Sequence, residues 1–112
     1  MEQILQYRVV YAESAIRDIE EKSDYIVTQF RNPELAERWY LSLRSSIQEQ
    51  LTTFPHKFHP YNVEPWGQRG IRQYITRNDV VLYSVDDESR TVYIRAVCTK
   101  GRDLSAHLTE QE

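Results

Sequence analysis

Residues 29–40 read QFRNPELAERWY, a short polar junction between two periodic segments. Asn32 followed by Pro33 marks a helix start. The asparagine side chain can cap the first backbone N–H groups, and a proline at the first helical position gives up an N–H that has no helical partner there. Outward from this junction the chain is periodic in both directions. Downstream, Leu35, Trp39, Leu43, Ile47, Leu51 and Phe54 recur at steps of four, four, four, four and three, a stripe that stops at Pro55. Upstream, from Ser14, the stripe is Ile16, Ile19, Ile26, Val27 and Phe30, with Asp18, Glu20, Glu21 and Lys22 mostly off it. Only Arg31 and Asn32 separate the patterns, so the two amphipathic helices are expected to fold back as an antiparallel hairpin whose stripes share one apolar partner.

That partner has to be a sheet. Tyr7 to Ala12 is a short β-branched and aromatic run, and three more follow at Ile71–Thr76, Val80–Asp86 and Thr91–Thr99. Arg77-Asn78-Asp79 and Asp87-Glu88-Ser89-Arg90 are polar connectors of hairpin length. The order is β-α-α-β-β-β, which predicts one α+β domain over residues 1–112, with the helical hairpin on one face of a mainly antiparallel four-stranded sheet. Alternation on the last strand separates Val92, Ile94, Ala96 and Cys98 from Tyr93, Arg95, Val97 and Thr99. On the run Ile71–Thr76 it separates Ile71, Gln73 and Ile75 from Arg72, Tyr74 and Thr76. The expectation is an open face, away from the helices, carrying Arg72, Tyr74, Tyr93 and Arg95.

Residues 55–69, PHKFHPYNVEPWGQR, form a long connector with three prolines, no period and several aromatics. Trp66 within it either pins the loop onto the sheet or presents an aromatic ring to a partner. His56 and His59 have HxxH spacing, but a zinc site needs three or four ligands, and Cys98 and His107 lie far away in sequence, so no metal is expected. Cys98 inside an apolar strand reads as a small core residue rather than a nucleophile.

The chain has 112 residues and a net charge of −3, from 14 basic and 17 acidic side chains. No global positive field draws it to nucleic acid or anionic lipid. The charge is uneven, however. Residues 1–54 hold six basic and nine acidic side chains and residues 55–103 hold eight and six, so a basic working surface belongs to the second half. A lone cysteine permits no internal disulfide, and no signal peptide or membrane span is read, so the expected location is cytoplasmic.

The element order resembles one known group, and several motifs support the likeness. They are the Asn32-Pro33-Glu34 helix start, the Phe54-Pro55 end, Arg69-Gly70-Ile71-Arg72, Val81-Leu82-Tyr83-Ser84-Val85, and Val92 to Asp103. Together, over about residues 5–108, they resemble the RelE/ParE superfamily of bacterial toxins. The resemblance implies the toxin half of a type II toxin–antitoxin pair, neutralised by a cognate antitoxin, without cofactor, as a homodimer or a hetero-oligomer with that antitoxin. It also offers two activities. RelE-like members cleave mRNA on the ribosome with a basic cluster on the sheet and a C-terminal Tyr or His; ParE-like members lack the cluster and inhibit DNA gyrase. Val80 stands where a RelE-like chain has an arginine, and Tyr74 stands near a lysine position. A nuclease here would have to rely on Arg72, Lys100, Arg102 and His107. The Gly101-Arg102-Asp103-Leu104 ending looks ParE-like. The resemblance therefore implies a gyrase poison first, an endoribonuclease second and an inactive binding module third. The residues expected to meet target or antitoxin are Arg69, Arg72, Tyr74, Arg95, Lys100 and Arg102.

Overall fold

The computed structural model of the chain describes residues 6–100. Strand β1 (Arg8–Tyr11) leads into helices α1 (Glu13–Phe30) and α2 (Pro33–Leu51), and a short 3-10 turn follows at Pro55–Lys57. Strands β2 (Arg72–Ile75), β3 (Asp79–Asp86) and β4 (Thr91–Thr99) complete the fold. The hairpin junction is built as its sequence demands. Arg31 turns the chain in a left-handed conformation, and the Asn32 side chain accepts from the Leu35 N–H at 3.2 Å, with Pro33 opening the next helix. Neither described helix is long and apolar enough to cross a membrane.

The sheet order is β1-β4-β3-β2. The last three strands form the expected antiparallel meander, and β1 joins its edge parallel to β4, with Arg8 opposite Thr91 and Tyr11 opposite Ile94. Both sheet faces are used. Ala15, Ile19, Leu43, Ile47 and Leu51 of the helices pack on Tyr74, Val81, Tyr83, Val92, Ile94 and Val97. On the opposite face Tyr61, Trp66 and Ile71 close over Val80, Leu82, Ala96 and Cys98.

The second core corrects the expectation of an open face. The connector's aromatics fold back, with the Tyr61 N–H on the Ile71 carbonyl and the Gln73 N–H on the His59 carbonyl, so the loop also covers the outer edge of β2. Its packing is tight enough that a Cβ on Gly67 would come 2.3 Å from the Tyr61 carbonyl oxygen, which only glycine avoids. Trp66 pins the loop.

A β-bulge corrects the strand alternation. Leu82 pairs with Ala96 but Tyr83 pairs with Ile94, which leaves Arg95 as the extra residue on β4. Past that point the faces exchange: Val97 joins the helix-side core and Ala96 and Cys98 move to the other side. On β2, Tyr74 and Arg72 face the helices opposite Val81 and Tyr83, and Ile75 is left exposed.

Helix α1 is also rotated from the expected stripe. Ala15, Asp18, Ile19 and Ile26 are buried, whereas Ile16 and Phe30 are exposed. Strand β1 ends at Tyr11, so among the described residues β4 beyond Ile94 has no strand beside it on that side, and α1 lies along it instead. Ser14 donates its hydroxyl to the Arg95 carbonyl at 2.7 Å. One turn on, Asp18 accepts the Val97 N–H at 2.9 Å, and Lys22, a further turn along, donates to Thr99 Oγ1 at 3.2 Å. The spacing of four keeps the three side chains on one face of the helix. Ser14 and Asp18 thus serve backbone groups of β4 that a neighbouring strand would otherwise pair, and Lys22 adds a side-chain contact. Phe54 is exposed because α2 has already ended at Leu51.

Candidate functional site

The structure divides the expected surface residues between the two sheet faces. Arg95 lies on the helix-free face at the bulge. Its guanidinium stacks on Tyr93, 5.2 Å from the ring centre, and its Nε donates to Ser84 Oγ at 3.0 Å. Ser84 is the cross-strand partner of Tyr93, and Tyr93 is that of Val10, so these four side chains lie together on an uncovered part of that face. Arg69 stands at the other end of the covering loop, over Trp66 at 5.0 Å. Lys100 follows β4, exposed, its backbone N–H on the Asn78 carbonyl at 3.1 Å. Five residues of strand, about 16 Å, separate it from Arg95.

Arg72 and Tyr74 point the other way. Arg72 Nη1 donates to the Phe58 carbonyl at 2.7 Å and the His56 carbonyl at 3.1 Å, which ties the segment after α2 to the sheet. Beside it the Tyr83 hydroxyl donates to the Pro55 carbonyl at 2.6 Å. Burial pushes that phenol's pKa well up, and the Arg72 cation pulls partly against it. Tyr74 is buried, shares a hydrogen bond with Ser46 of α2 and stacks at 4.8 Å on Phe58. Arg102 and His107 lie outside the described residues.

Two polar clusters escaped the reading of the sequence. Asp79, at the start of β3, is buried and pairs with Lys22, while Trp39 Nε1 donates to its second oxygen at 2.9 Å. The i,i+4 spacing of Asp18 and Lys22 hints at a shared helix face, but nothing local marks Asp79 as their neighbour. In the second cluster, Asp87 Oδ1 accepts from the Tyr7 hydroxyl at 2.7 Å and lies 2.6 Å from His56 Nε2. The Tyr7 bond first, and then that with His56, holds the Asp87 carboxyl below the usual carboxylate range. Among the described residues no three His, Cys, Asp or Glu side chains stand together as metal ligands, and Cys98 is buried in the second core.

The face that the helices leave free therefore presents an apolar core sealed by aromatics, with cations spread around its margins. Comparison with known proteins agrees with this architecture. The chain is similar to the toxin–antitoxin complex RelBE2 from Mycobacterium tuberculosis, with TM-score 0.63 and 19% identity over 91% of this chain and 100% of that one. It is also similar to the chromosomal ParDE toxin–antitoxin system from P. aeruginosa, with TM-score 0.67 and 15% identity over 83% of this chain and 95% of that one. At such identities the likeness is one of fold. Among curated proteins none matches. The family model described as "ParE toxin of type II toxin-antitoxin system, parDE" matches residues 9–104. With residues 9–104 of its 112 matched, the chain belongs to the ParE toxin family of type II toxin–antitoxin systems.

Proposed function

We propose that this chain arrests growth by protein–protein contact with DNA gyrase and that a cognate antitoxin neutralises it. One observation carries the choice between the two activities of the wider superfamily. Cleavage of RNA by its own 2′-hydroxyl needs a base, an acid and cations converging on one phosphate. On the helix-free face the middle of β3 and β4 carries Val80, Leu82, Ala96 and Cys98, all buried with Tyr61, Trp66 and Ile71. None of these side chains can stabilise an anion. Arg69, Arg95 and Lys100 lie outside that sealed patch. Scattered cations with aromatic stacking suit a protein contact, where Arg and Tyr are favoured anchors. The activity needs no cofactor and takes place in the cytoplasm, where gyrase and antitoxin are found.

The test is induction under a tight promoter, followed by mRNA 5′-end mapping and a supercoiling assay with purified gyrase. Inhibited supercoiling with intact transcripts is expected. New 5′ ends inside codons, with supercoiling unaffected, would replace this function with ribosome-dependent RNA cleavage. Absence of any growth effect would point instead to an inactive binding module.

A further inference from the structure

A cleft of about 400 Å³ lies between α2 and the turn that joins β2 to β3. One face of α2 forms a wall of it, because Trp39, Ser42, Leu43 and Ser46 follow at steps of three, one and three. Tyr74 and the turn residues Thr76 to Asp79 close the other side. The lining contains one carboxylate, Asp79, and it is fully engaged: one oxygen pairs with Lys22 and the other accepts from Trp39 Nε1 at 2.9 Å. What stays open is donor chemistry. The Arg77 guanidinium, the Ser42 hydroxyl and the Asn78 amide make no hydrogen bond or ion pair among the described residues. The Ser46 and Tyr74 hydroxyls share one hydrogen bond, which uses one of their two protons and leaves the other without an acceptor among those residues.

We propose that this cleft binds a mononucleotide, with the phosphate on Arg77, Ser42 and Asn78 and the base against the Trp39 indole. The open charge of the lining is positive, and a guanidinium fork meets a phosphate edge with two parallel N–H···O bonds. A phosphate monoester offers three terminal oxygens to donors on three side chains, where a carboxylate offers two. The phosphate alone would fill a small part of the space, which lies in the range of pockets for small organic ligands. Beyond it the wall is Trp39 and Leu43, a flat ring and an aliphatic surface that suit a base, and the spare proton of the Ser46–Tyr74 pair suits a ribose oxygen. A metal ion or an amine fits poorly, since both oxygens of the lining carboxylate are taken. The cleft lies on the helix side of the sheet, apart from the surface of Arg95 and Tyr93, so it adds a ligand to the chain without resting on the choice of cellular target.

The experiment titrates the full chain with adenosine, guanosine, cytidine and uridine 5′-monophosphates, with adenosine and with inorganic phosphate, by calorimetry and amide-correlation NMR. At least one monophosphate is expected to bind with Kd below about 1 mM, and adenosine and inorganic phosphate at least about tenfold more weakly. The indole N–H of Trp39 and the amides of residues 76–79 should shift, while the indole of Trp66, in the core on the other face, should not. Arg77→Ala is expected to weaken binding by about 10- to 100-fold, and Arg77→Lys by less, since lysine keeps the charge but not the fork. Ser42→Ala is expected to weaken it about fivefold. Arg77 and Ser42 are both exposed, and unchanged melting midpoints establish that the variants fold. Absence of binding by every monophosphate at about 10 mM overturns the proposal. Binding that Arg77→Ala leaves unchanged, or that shifts Trp66 in place of Trp39, overturns the location. Inorganic phosphate as tight as the best monophosphate overturns the nucleotide in favour of a bare anion. A 5′-phosphorylated oligonucleotide that binds more than about tenfold tighter, with shifts spreading to Arg95, overturns it in favour of a nucleic-acid surface.

Discussion

Replacing Asp18 with alanine tests the idea that a helix does the work of a missing strand. Asp18 is 6% exposed, and its Oδ2 accepts the Val97 N–H at 2.9 Å on the edge of β4 that β1 does not reach. Alanine removes the acceptor and leaves a buried N–H without a protein partner. A hydrogen bond to a charged group contributes about 1.5–3 kcal/mol, and a stranded buried donor costs about 1–3 kcal/mol. The two figures describe one loss from either side, so Asp18→Ala is expected to destabilise by about 2–3 kcal/mol, a large part of the roughly 5–15 kcal/mol that holds a domain folded. Asp18→Asn keeps a carbonyl oxygen in place and loses only the charge, for about 1 kcal/mol. At about 4 °C per kcal/mol for a domain of this size, melting should fall by about 8–12 °C for alanine and about 4 °C for asparagine. Urea unfolding supplies the free energies. Amide exchange supplies the local readout: the Val97 amide should lose its protection in Asp18→Ala and keep it in Asp18→Asn. An alanine variant with the wild-type midpoint and a protected Val97 amide would refute the account of the β4 edge.

Lys22→Met removes the cation from Asp79, a carboxylate whose side chain is 3% exposed. The 18% exposure of Lys22 puts the expected loss near the lower end for a broken buried pair, about 3 kcal/mol in urea unfolding. The double variant Lys22→Met/Asp79→Leu should regain part of it, and a double variant as unstable as the single one would show that the stranded charge is not the cause. The depressed pKa of Asp87 predicts an acid-sensitive contact. Its contribution is present above the unfolded value of about 3.9 and is lost as pH falls through the lower folded value. Wild type should therefore lose more stability than Asp87→Asn between about pH 4 and pH 2; parallel curves would show that Tyr7 and His56 do not hold the carboxylate in solution. Arg72→Ala should lower stability by about 1–3 kcal/mol, because two carbonyls lose a charged donor. Exposed Arg95→Ala should stay within about 0.5 kcal/mol, so any effect on the proposed gyrase inhibition reports target contact. The opposite order of stabilities would contradict the placement of both side chains.

Much of this architecture is legible in the chain itself. Asn32-Pro33 between two periods of helical spacing is a local signal, since the cap and the missing N–H act within one turn. The β2–β3–β4 meander is read just as directly from alternating runs with short polar connectors. Side-chain direction was less accessible. The alternation that sorted Tyr74 and Cys98 presumed regular strands covered on one side, and both conditions fail. Arg95 is inserted as a bulge, which reverses the faces beyond it, and the connector with Tyr61 and Trp66 covers the second face. Neither event leaves a mark in the residues at which it is felt.

The same limit applied to the site. Arg72 and Arg95 are both arginines on strands flanked by apolar residues, and only their surroundings distinguish a clamp on two carbonyls from a cation stacked at the surface. Composition and local pattern determined the elements, their order, the fold class and the family likeness, because capping, periodicity and turn chemistry operate over a few residues. The tertiary structure alone decided which side of the sheet each residue serves. That depends on contacts between groups far apart in sequence, such as Asp18 with Val97, Lys22 with Asp79 and Tyr61 with Ile71, whose pairing follows from satisfying buried polar groups and covering apolar surface across the whole chain.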